Sequence, residues 1–106
     1  MVRIEIYRNS SNAITGFSVT GHANTAPHGQ DIVCAAVSVL AQTAVLGLER
    51  HLGRSVHLDI ASGKLKVELD SAPDDLTGAV LETMLLGLKE IVQINPKSVR
   101  IFEHRR

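Results

Sequence analysis

The stretch VHLDIASGKLKVELDSAPDDLTGAVLETMLLGLKEI, Val56 to Ile91, carries two periodicities in one run. Val56, Leu58 and Ile60 alternate with His57 and Asp59, and Leu65, Val67 and Leu69 alternate with Lys64, Lys66 and Glu68. Period two marks half-buried strands, and Ala61-Ser62-Gly63 between them turns a hairpin. From Pro73 the period lengthens: Leu76, Val80, Met84, Leu88 and Ile91 recur at helical spacing. Proline suits a helix start, Asp74 and Asp75 suit its positive end, and Asn95-Pro96 stops it.

The same order of strand, strand and helix precedes this stretch. Val2 to Tyr7 alternates as a strand, Arg8 to Asn12 is turn chemistry, and Ile14 to Thr20 returns with Phe17 and Val19 on its apolar face. Gly21 to Gln30 reads as a loop. Asp31 is a candidate N-cap for a helix running to about Arg50, because its carboxylate can accept first-turn amides; Gly53 closes it. Val99 and Ile101 mark a last short strand, followed by a frayed tail, His104-Arg105-Arg106. The order ββαββαβ predicts an α+β two-layer sandwich, with two helices packed on one face of a five-stranded mixed or antiparallel sheet. No linker interrupts it, so residues 1–106 read as a single domain.

Composition narrows the function. A chain of 106 residues buries roughly 60–70% of its unfolded surface. With two Phe, one Tyr and no Trp, the core is aliphatic. Eleven basic residues balance eleven acidic ones, which gives no polyanion-binding face and argues against direct nucleic acid binding. The single cysteine excludes an intrachain disulfide. The N-terminus has no signal-peptide pattern. The apolar run Ile32 to Leu48 contains Ser38, Gln42 and Thr43, so it reads as a buried helix rather than a membrane span. A cytoplasmic protein is expected. Val33, Ala36, Val37, Leu40 and Val45 do not fit one stripe, so the first helix is covered on more than one side. A second copy of the chain would cover it and make a homodimer; the alternative is that the second helix lies against it.

The chemistry concentrates in Gly21 to Ser38, GHANTAPHGQDIVCAAVS. Cys34 falls in the first turn of the expected helix, where free amides and the helix dipole favour a thiolate. His22 lies at the end of the second strand, twelve residues upstream, far enough for the loop to fold back and present it as the base of a Cys–His dyad. Gly21 and Gly29 bracket the loop as hinges. First-turn amides, that of Cys34 included, would hold an oxyanion. Ser38, one turn after Cys34, would face the substrate or the dyad. Asp31 caps the helix and can orient the imidazole. His28 is a rival base. A structural reading stands beside this one: a small buried cysteine in an Ala/Val-rich helix, within a non-enzymatic interaction module. His22, His28 and Cys34 match no compact zinc spacing and lack a fourth ligand, so no metal is expected.

Gly21-His22-Ala23, then Gly29, then Asp31-Ile32-Val33-Cys34-Ala35-Ala36-Val37-Ser38 resembles the signature of the Prp family of bacterial ribosomal-processing cysteine proteases. Length and element order resemble the family over the whole chain. The resemblance implies an enzyme without cofactor. It would trim a short N-terminal extension from a large-subunit ribosomal protein, the one numbered twenty-seven, after an aromatic residue in a hydrophobic segment. It implies a nucleophile at Cys34, a base at His22, and supporting roles for Gly21, Gly29, Asp31 and Ser38. It also implies a dimer with a mobile loop over the active site.

Overall fold

Alternation fixes the first strand. In β1 (Val2–Arg8) the side chains of Val2, Ile4 and Ile6 are buried on one face, while Arg3 and Glu5 lie on the other. The structure, a computed structural model, describes residues 1–21 and 28–106, the side chains of residues 28–31 excepted. β1 pairs antiparallel with β2 (Ile14–Thr20). Asn9 shapes the turn between them: its Oδ1 accepts the backbone N–H of Ser11 and of Ala13, at 2.9 and 3.0 Å. Asn12 takes a φ of 68°, which asparagine tolerates better than most residues.

β3 (Val56–Ala61) and β4 (Lys64–Leu69) form the expected hairpin. β4 joins β2, and β5 (Val99–Arg105) joins β1 in parallel. The sheet is five-stranded and mixed, in the order β3-β4-β2-β1-β5. One expectation is corrected here. The tail is not frayed, because β5 pairs along the whole of β1 and Arg106 N–H donates to the Arg8 carbonyl at 2.8 Å. His104 stacks on Tyr7, with ring centroids 5.5 Å apart, and Arg106 covers the same ring. An irregularity at Tyr7/Arg8 lets Arg8 meet the second helix: it donates to Glu82 at 2.7 and 3.1 Å and to Glu103 at 2.9 Å. The Glu82 bond chiefly, with that to Glu103, holds the guanidinium charge above its ordinary pKa.

The first helix, α1 (His28–Leu46), starts earlier than expected and ends in a π turn, Gly47–His51. Its end agrees with the sequence reading. Leu52 N–H reaches back to the Gly47 carbonyl at 3.0 Å, Arg54 N–H to that of Leu48 at 2.8 Å, and Gly53 supplies a φ of +65°. The start does not agree. Asp31 is the fourth helical residue, not the N-cap, and Gly29 lies inside the helix, not at a loop hinge. Pro27 directly precedes the first helical residue. Helical backbone from His28 places three residues ahead of Asp31, so Asp31 lies past the position whose side chain caps the first-turn amides.

Val33, Val37, Ala41, Ala44, Val45 and Leu48 make one buried stripe of α1 and the π turn. The second helix, α2 (Asp75–Ile94), covers another side. Gly87 admits Leu40 so closely that a Cβ there would lie 3.1 Å from Leu40 Cδ1, and Gly47 faces Val80. The helices therefore run antiparallel, and α2 accounts for part of the apolar circumference of α1. Ile32 and Val39 remain 66% and 63% exposed. By length and composition alone, Ile32–His51 could cross a membrane; 33% of it is buried, and the stripe against the core accounts for that part of its apolar character. In α2, Asp74 accepts the N–H of Leu76 and of Thr77 at 3.1 Å, and Thr77 Oγ1 accepts Asp74 N–H at 3.0 Å. This capping box leaves Thr77, Leu81, Met84, Leu85 and Leu88 buried. Leu76, expected on the core stripe, is 57% exposed, because the face set by Thr77 lies about 100° further round the helix.

Candidate active site

The helices do not cover the whole sheet. Strand β3 lies at its edge, and Leu58 and Ile60 are 41% and 69% exposed although they alternate as core residues do. Between this hairpin and α1 runs a groove of about 580 Å³. Val2, Val19 and Leu65 of the sheet contribute apolar lining. From α1 come Cys34, Ser38 and Gln42, spaced one helical turn apart, with Val45 and Leu46 beyond. Lys64 is the charged side chain among its lining residues.

Cys34 is a free thiol, half-buried, and packs against the edge of the core while lining the groove. Ser38 lines the same groove and is exposed, so its hydroxyl is accessible from the groove side. Gly21 lines it as well. Its N–H donates to the Gly63 carbonyl at 2.9 Å, its φ is +83°, and a Cβ there would run into the Met1 carbonyl. Only glycine fits a position that is both left-handed and this crowded. Gly21 thereby pins the end of β2 beside the hairpin turn, directly before His22. The structure brings together Cys34, Ser38 and Gly21 of the residues singled out by sequence. His22 and the side chains of His28 and Asp31 lie outside the described residues.

The early start of α1 changes one chemical expectation. Cys34 is the seventh helical residue, past the first turn. Its N–H belongs to the α-helical ladder, directed at the carbonyl four residues back, and cannot also serve an oxyanion. The dipole effect is concentrated in the terminal turn, so it acts less on Cys34 than an N-cap at Asp31 would imply. The sequence reading missed the far wall of the groove. Leu58 and Ile60 alternate as core residues do; only the strand order, which places β3 at an edge, shows that no helix covers them.

The family model of the cysteine protease Prp matches residues 1–100. The chain belongs to the Prp family of cysteine proteases. A ribosomal processing cysteine protease Prp from Bacillus subtilis is 30% identical, the match covering 95% of this chain and 96% of that protein. That of Staphylococcus aureus is 26% identical over 95% of this chain and 97% of its own length. Among solved structures, the S. aureus processing protease Prp in complex with a substrate peptide superposes with a TM-score of 0.91, at 22% identity, over 98% of this chain and all of that one. A Streptococcus mutans protein superposes with a TM-score of 0.90 at 27% identity, over all of this chain and 99% of its own. The five-stranded sheet with two helices is the architecture these structures share.

Proposed function

We propose that this chain is a cytoplasmic cysteine endopeptidase that removes the short N-terminal extension of the bacterial large-subunit ribosomal protein numbered twenty-seven. It acts through Cys34 as nucleophile and His22 as base, as one domain over residues 1–106 and as a homodimer. The observation that carries this reading is the free Cys34 thiol on the wall of an open apolar groove, in a chain of the Prp family. A structural cysteine has no need of a groove. Gly21, the chain neighbour of His22, lines that groove, which supports the pairing of the imidazole with the thiol. Exposed Ile32 and Val39 on α1 and Leu86 on α2 support the dimer.

The thiolate sulfur attacks the scissile carbonyl carbon, a C–S bond forms, and the carbonyl electrons move to oxygen. As that tetrahedral species collapses, the C–N bond breaks and the His22 imidazolium gives its proton to the departing amine. The acyl group remains on Cys34 as a thioester. Water, deprotonated by His22, attacks the thioester, and the freed thiolate takes part in the next cycle. Ser38 faces the bound peptide from the next turn of α1. Gly29 and Asp31, inside the first turn of the helix, are supporting residues.

The test is incubation with the organism's full-length ribosomal protein, read by intact mass, with Cys34→Ala and His22→Ala in parallel. A single trimmed product with the wild type, none with Cys34→Ala and strongly slowed trimming with His22→Ala are expected. Trimming by Cys34→Ala, or intact substrate in every sample, would overturn the reading.

A further inference from the structure

The groove lining continues past Cys34 along α1 to Leu46, and Gln42 is a polar side chain in that stretch. Gln42 lies eight residues beyond Cys34 on the same wall of α1 and is exposed into the groove. Val45 and Leu46 follow it one turn on along α1, and Leu58 and Ile60 of β3 line the same groove. At 1.5 Å per helical residue, Gln42 sits about 12 Å along the groove from the thiol. An extended peptide covers about 12 Å in three to four residues. A primary amide offers both donors and an acceptor, the complement of a peptide C=O and N–H. It binds the main chain without reading the side chain. The walls around it take an apolar residue.

We propose that Gln42 is a substrate-positioning residue: it hydrogen-bonds the substrate main chain three to four residues from the scissile bond, at a subsite whose Leu46, Leu58 and Ile60 walls select an apolar side chain. This rests on the reading of Cys34 as the nucleophile at the head of the groove. The groove so described is a channel for an extended peptide, and recognition extends beyond the residues flanking the cut. One hydrogen bond of this kind is worth roughly a three- to tenfold change in affinity.

The test uses the full chain and a peptide spanning the processing site, shortened one residue at a time from each end. Gln42→Met keeps the length and helix propensity of the side chain and removes its hydrogen bonds. KM and kcat are measured for every peptide. In the Cys34→Ala background, with and without Gln42→Met, binding of the same fluorescently labelled peptides is followed by anisotropy. For the full-length peptide, Gln42→Met should raise KM and Kd roughly three- to tenfold, with kcat little changed. The factor should vanish in one shortening series only, once the peptide ends short of about the fourth residue from the cut. A factor that persists at all lengths, or none at full length, would overturn the inference. Absence of cleavage by the wild type would count against the nucleophile reading alone, because the binding ladder reads Gln42 without turnover.

Discussion

At the scale of single residues, Asp74 both caps α2 and pairs with Arg54 at 2.8 Å. Asp74 reads as a helix-start acid and is one: Thr77 N–H, then Arg54, hold its carboxyl below the usual value of 3.8. A carboxyl whose pKa falls on folding stabilises the fold above its unfolded value and loses that contribution as pH falls through the folded value. Stability should therefore decline below about pH 4 in part through Asp74. In Asp74→Asn the cap acceptor stays and the charge goes, so the acid limb of a urea-midpoint profile should flatten. A profile parallel to the wild type would remove Asp74 from the account. Cys34 was legible as a type of residue and a place on a helix. Its turn number was not, because Asp31 carries an N-cap signal although the helix starts three residues before it. Gly21 was legible as a loop boundary, whereas its contact with Met1 is a long-range packing event with no local signal.

At the scale of elements, periodicity identified every strand and helix, and tertiary contacts set their limits. β5 runs on to Arg105 because β1 offers it a full row of partners. The stripe of α2 is rotated away from Leu76 because the capping box fixes Thr77 against the core. Two glycines separate conformational from packing demands. Gly78 lies in the first turns of α2 with open space where a Cβ would stand, so Gly78→Ala should stabilise by about 0.5–1 kcal/mol. Gly53 has equally open space but a φ of +65°, so Gly53→Ala should destabilise by about 1–2 kcal/mol. Urea denaturation checks both; equal signs would mean that something other than φ governs these positions.

At the scale of the whole molecule, the aliphatic core and two-layer architecture follow from composition and order, and the chain folds as its family does. The groove does not follow from either. It arises because the hairpin sits at an edge of the sheet, which no local pattern states. Ile32, Val39 and Leu86 on the helices are all more than 60% exposed, and the proposed homodimer would cover them. Light scattering at tens of micromolar should give twice the chain mass, and Val39→Lys should shift the protein to monomer. A wild-type monomer would leave Ile32 and Val39 in water and overturn the proposed dimer.

The central claim, that Cys34 performs the cleavage, is open to one measurement that the single cysteine makes unambiguous. The protein is alkylated in steps with a thiol-specific reagent, and residual processing of the ribosomal substrate is plotted against labelled fraction from intact mass. The account predicts a straight line reaching zero at one label per chain, with the substrate peptide slowing the labelling. Fully labelled protein that still trims its substrate would contradict it.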